Sequence, residues 1–140
     1  YQVELIKMVE EDTNAFNRIM DAFGLPKKTD EEKAARHQAI QDATKFATEV
    51  PFKTMMLCYE CMEVVKAMAE IGNPNSVTDA GVGALAARSG VIGAFLNVKI
   101  NAAGLDDKEY ANDIISRGEK VVEMAKQMET DILNIVNSKI

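Results

Sequence analysis

A chain of 140 residues, 47% of them hydrophobic, is long enough for one domain with a real core and too apolar to be disordered. Its net charge of −6 argues against duplex nucleic-acid binding, which needs a basic face to displace phosphate counterions. With three prolines, eight glycines and no tryptophan the composition favours helix over strand, and no uninterrupted run of about 18 apolar residues marks a membrane span.

Five helices are predicted in chain order. In the first, Leu5, Met8, Asp12, Phe16, Ile19 and Phe23 recur at spacings of three or four, which places Asp12 on an apolar stripe. An unpaired carboxylate buried there would be costly, so Asp12 is expected either to pair with a neighbouring helix or to serve as a group with a tuned proton affinity. The GLPKK segment ends that helix, and Thr29 with Glu32 forms a capping box that opens the second. Ala35, Ala39, Ala43, Phe46, Ala47 and Val50 face inward until Pro51, where this helix is expected to stop. Lys27, Lys28, Lys33 and Arg36 gather as a local basic cluster, read as a solvated helix start.

The third helix, from about residue 51 to 71, carries two adjoining apolar stripes and must be covered on more than one side. Cys58 and Cys61 lie in it as C-x-x-C. Mid-helix, among methionines and with one histidine in the whole chain, they read as structural thiols rather than a zinc or redox site. Reduced thiols with no visible signal peptide point to the cytoplasm. His37, between Lys33 and Gln41, reads as a surface side chain.

Asn73 and the NPNS turn lead into the fourth helix, capped by Ser76 or Thr78 with Asp79 in its first turn. Asp79, Gly83, Ala86, Gly90, Gly93, Asn97 and Asn101 form one stripe, small in the middle and polar at both ends. Each interior glycine costs about 0.5–1 kcal/mol relative to alanine, so something is expected to lie close against that face. Two copies crossing antiparallel near Arg88 to Gly90 would satisfy it and bring Asp79 of one chain toward the partner's Asn97; packing within one chain is the alternative. Gly104 ends this helix, and Asp106 with Glu109 opens a last helix of about 45 Å. Long helices with short connections predict an all-α up-and-down bundle.

GNPN followed by TD, then GAFLNVKIN and GL, together with DTNAFNRIMDAFGLPK and the Ala-rich stretch ending in Val50–Pro51, resemble the cyclodeaminase domain of formiminotransferase-cyclodeaminase and its stand-alone cyclohydrolase relatives. The resemblance covers nearly the whole of residues 1–140, read as one domain. The family's glycine-rich PGGGS-like segment does not precede Tyr1, so the chain is expected to be an N-terminally short piece.

The resemblance implies a homo-oligomeric, homodimeric or larger, enzyme of folate one-carbon metabolism that needs no redox cofactor or metal. It would convert 5-formiminotetrahydrofolate to 5,10-methenyltetrahydrofolate and ammonia, or interconvert methenyl- and 10-formyltetrahydrofolate. Asp79 and Asp12 are then the candidates for proton transfer, and Asn73, Asn97 and Asn101 for positioning the substrate. Lys99 would meet its carboxylates. The competing reading is a non-catalytic helical interaction module whose small-residue stripe serves assembly only.

Overall fold

The computed structural model describes residues 1–140 and contains four long helices and no strand. They are α1 (Gln2–Gly24), α2 (Asp30–Ile71), α3 (Val77–Ala103) and α4 (Lys108–Asn137), with a 3-10 turn, Pro74–Ser76, ahead of α3. The all-α expectation holds, with four helices instead of five, because α2 runs unbroken through Pro51 for 42 residues. At 1.5 Å per residue it is about 63 Å long and forms the spine on which the other three pack. Its inward positions continue in phase across the proline as Ala43, Ala47, Val50, Met55, Met62 and Ala69, so tertiary packing holds both halves on one axis.

Both ends of α2 are closed by side chains. The expected capping box at Thr29 and Glu32 is formed. At the other end Lys139 donates to the carbonyls of Ala69 and Glu70 at 2.7 and 2.6 Å, satisfying two of the last acceptors of the helix. The main core lies among α2, α3 and α4, with Met55, Met62, Val91, Val98, Ala125 and Ile132 sealed from solvent. Arg88 on α3 and Glu129 on α4 add an off-axis ion pair, Nε to Oε2 3.0 Å, beside that core.

α1 is held differently. It touches only α2, through Met8, Ala15 and Ala22 at a seven-residue spacing. That seam is narrower than the predicted stripe: Phe16 is 61% and Phe23 50% exposed. Asp12 is exposed as well, so the expectation of a carboxylate on a buried face is corrected. Guanidinium groups cover part of what is left open, Arg18 lying 4.1 Å from the centre of the Phe46 ring and Arg36 5.4 Å from that of Phe23.

The small residues of α3 find partners inside the same chain. A Cβ on Gly90 would stand 2.8 Å from Cys58 Sγ, one on Gly83 3.4 Å from Val65, and one on Gly81 3.6 Å from Leu133 and Val136. Close approach of α2 and α4 therefore accounts for three of the four glycines, and only Gly93 faces open space. Residues 74–103 are also long and apolar enough, by length and composition, to cross a membrane. Counting uninterrupted apolar residues misses this, because Ser, Gly and Asn punctuate the run. In this fold the helix packs between α2 and α4.

Two predicted boundaries move. Ser76 stands at the N-cap of α3 without a side-chain bond, and Asn73 instead caps the 3-10 turn, its Oδ1 accepting from the Asn75 amide at 3.0 Å. Asp107, not Asp106, caps α4 by accepting from the Tyr110 amide at 3.0 Å.

Candidate functional site

Because α1 and α3 both lie on α2 without touching each other, a trough of about 440 Å³ remains between them. Its floor is one face of α2, where Pro51, Thr54 and Cys58 follow at spacings of three and four. Asp12 and Thr13 look in from α1, Gly90, Ala94 and Asn97 from α3. The site thus sets one carboxylate opposite one carboxamide over a largely apolar floor. The Asn97 amide donates to Gly93 O at 3.1 Å, which leaves its Oδ1 free to accept from a ligand. Thr54 Oγ1 donates to Val50 O at 3.1 Å, which leaves the hydroxyl oxygen able to accept from a ligand.

Asp79 and Asn73 line a different recess of about 370 Å³ at the far end of α3, with Val64, Val65 and Met68 of α2. Asp79 and Asn97 are 18 residues apart, about 27 Å along the helix, so no single pocket of one chain holds both. Asn101 does not line the groove, and its Nδ2 donates to the carbonyl of Ala47 at 2.7 Å. Lys99 lies 4.9 Å from the centre of the Phe95 ring, outside both recesses.

Both cysteines are half-buried and unpaired. Burial pushes the Cys58 thiol above its ordinary value, with the nearby Cys61 adding to the shift; burial is also the main cause of the rise at Cys61. Cys58 therefore presents a neutral, weakly nucleophilic thiol to the groove. No three His, Cys, Asp or Glu side chains are grouped as metal ligands would be.

A polar cluster that the sequence reading missed ties the α3–α4 turn to α2. His37 Nε2 and Asp106 Oδ2 are 2.6 Å apart, and Gln41 accepts from the Asp106 amide at 2.8 Å while donating to Gly104 O at 3.2 Å. Next to it Tyr110 donates to Glu49 at 3.2 Å, and burial together with that carboxylate pushes the phenol up to about 12. No local pattern signals these pairs, whose partners are more than 60 residues apart.

The architecture is that of an all-helical domain whose groove opens between its first and third long helices. The family model for formiminotransferase-cyclodeaminase matches residues 1–120. The chain is 43% identical over 136 residues to methenyltetrahydrofolate cyclohydrolase of Methylorubrum extorquens, a match covering 97% of this chain and 65% of that protein. It is 32% identical to formimidoyltransferase-cyclodeaminase of Gallus gallus over 97% of this chain and 25% of the other. The crystal structure of formiminotetrahydrofolate cyclodeaminase from Thermotoga maritima superposes with a TM-score of 0.79 at 20% identity, over 94% of this chain and 62% of that one. The chain belongs to the formiminotransferase-cyclodeaminase family. It spans just under two thirds of the length of the cyclohydrolase relative and a quarter of the avian one.

Proposed function

We propose that this chain works on one-carbon derivatives of tetrahydrofolate in the groove between α1 and α3, as a methenyltetrahydrofolate cyclohydrolase or a formiminotetrahydrofolate cyclodeaminase. The observation that carries the reading is the pairing of Asp12 with Asn97 across one groove, in a chain 43% identical to a cyclohydrolase. That identity, over nearly the whole chain, favours the cyclohydrolase reaction of the two.

Either reaction adds water or a nitrogen to a single activated carbon, passes a tetrahedral centre and moves a proton from the attacking oxygen or nitrogen to the departing nitrogen. A carboxylate at the groove wall can take the proton of the attacking group and return it to the departing nitrogen. We assign this role to Asp12, which lines the groove. A carboxamide presents both donor and acceptor to the amide edge of a pterin, which fits Asn97, while Pro51, Met8 and Ala94 offer apolar surface to its face. Neither reaction transfers electrons, and we propose that it proceeds without a redox cofactor or a resident metal. Lys99 is proposed to meet the substrate's carboxylates.

Asp79 and Asn73 enter this scheme through a second copy of the chain, with the active form a homodimer in the cytoplasm. Side chains left uncovered on both walls support such a partner: Ile6, Val9, Phe16 and Met20 on α1, Leu96 and Ile100 on α3. The same surface also supports the second reading, an interaction module without catalysis. Absorbance assays of the full-length protein with methenyl- and formiminotetrahydrofolate supplied separately decide between them. Turnover of either supports the enzyme; turnover of neither, with a stable oligomer present, supports the module.

A further inference from the structure

A proline inside a helix supplies no amide hydrogen, so the carbonyl four residues earlier loses its donor and the ring crowds that carbonyl. In α2 the proline is Pro51 and the deprived carbonyl is that of Ala47. Ala47 is buried, so water is a poor substitute and an unpaired acceptor there would be destabilising. The missing donor is the side-chain amide of Asn101, one turn beyond Asn97 on α3, at 2.7 Å from Ala47 O.

We propose that Asn101 is a positioning residue of the groove, standing in for the backbone donor that Pro51 removes. This rests on the groove's being the folate site. Pro51 is itself part of the floor, so the bond pins α2 to α3 next to the proline. It thereby fixes the height of Asn97 against Thr54 and Asp12. Asn101 thus acts on the substrate through Ala47 and the α2–α3 register, not by contact. The relationship also explains why α2 stays helical through a residue that ordinarily ends or kinks a helix.

The test is a double-substitution cycle on the full chain, because replacing Pro51 with Ala restores a backbone N–H to Ala47 without involving α3. Asn101→Ala, and the isosteric Asn101→Asp that exchanges the donor for an acceptor, are each expected to lower Tm by about 3–10 °C in the Pro51 background. In the Pro51→Ala background the same substitutions are expected to lower Tm by less than half as much. Turnover of methenyltetrahydrofolate should follow the same pattern, the fold-loss in kcat caused by Asn101→Ala being smaller when measured against Pro51→Ala alone than when measured against the wild type.

Equal Tm losses in the two backgrounds would overturn the proposal. A Tm loss that shrinks in the Pro51→Ala background while the fold-loss in kcat or KM from Asn101→Ala, taken against that same background, stays undiminished would also overturn it, and would make Asn101 a direct substrate contact. Should the wild-type protein turn over no folate, the Tm cycle still reads the Asn101–Ala47 bond, so failure of the proposed function and failure of this inference are distinguishable.

Discussion

Gly118, in the first half of α4, packs against the ring of Phe95 on α3, so close that a Cβ would stand 2.6 Å from Phe95 Cδ2. The atoms in the way belong to a buried aromatic ring that cannot swing aside. Gly118→Ala is therefore expected to destabilise the domain by about 1–3 kcal/mol, as overpacking does, although alanine is the better helix former. Gly93 is the control. A Cβ there meets nothing within 4 Å, so Gly93→Ala should stabilise by about 0.5–1 kcal/mol through helix propensity alone. Thermal unfolding of the two variants should give shifts of opposite sign; shifts of the same sign would show that the α3–α4 contact is misjudged.

Asp12 is exposed and makes no structural bond, so Asp12→Asn should leave Tm within about a degree or two while lowering turnover by about 10²- to 10⁴-fold, the usual effect of losing a proton-transfer group. Asp79→Asn separates the one-chain from the two-chain site. A comparable fall in kcat with little change in KM is expected if a second copy carries Asp79 to the groove of its partner. Unchanged kcat in Asp79→Asn would remove that residue from the mechanism, and unchanged kcat in Asp12→Asn would remove the groove.

Cys58 lines the groove and Cys61, one turn on, does not. Burial holds the Cys58 thiol above its ordinary value, so its alkylation by iodoacetamide should be slow near neutral pH and accelerate only at clearly alkaline pH. Methenyltetrahydrofolate should protect Cys58 and leave Cys61 unaffected, as read by mass spectrometry of the alkylated peptides. Equal labelling of Cys58 with and without the folate would place the ligand elsewhere.

Tyr110 gives the domain an alkaline signature. Its phenol is raised from the ordinary 10.0 to about 12, chiefly by burial and then by Glu49, so folding favours the neutral form. The resulting contribution is complete below about pH 10 and is lost as pH rises toward 12. In a spectrophotometric titration the tyrosinate step removed by Tyr110→Phe should lie near pH 12, and Glu49→Gln should move it down. A step for Tyr110 at ordinary tyrosine pH would show that the phenol is not held by Glu49.

Helix content, the capping box at Thr29 and Glu32, and the stop at Gly104 were legible because each depends on residues a few positions apart. Pro51 misled for a long-range reason: the donor that lets α2 continue comes from Asn101, which no local pattern connects to Ala47. Asp12 misled because an apolar stripe says that a face wants cover, not that its own chain supplies it. Met8, Ala15 and Ala22 took the contact with α2 and left Phe16 and Phe23 outside. The glycine stripe is a place of close approach at Gly83 and Gly90, which meet Val65 and Cys58 on α2, but not at Gly93, which faces open space. Gly81, off that stripe, meets Leu133 and Val136 on α4, a division that only the packing of three helices defines.

The single seam that fastens α1 divides the molecule into parts of unequal tenacity. Three helices share one interlocked interior, whereas α1 is attached along the single seam of Met8, Ala15 and Ala22 and contributes no residue to the cluster of Met55, Met62 and Ile132. Amides of α1 should therefore exchange with deuterium well before those of α2 around Met55. The catalytic carboxylate proposed at Asp12 would then ride on the most easily released wall of the site. Entry and exit of a substrate would then be governed by the docking of one helix, at little cost to the rest of the fold.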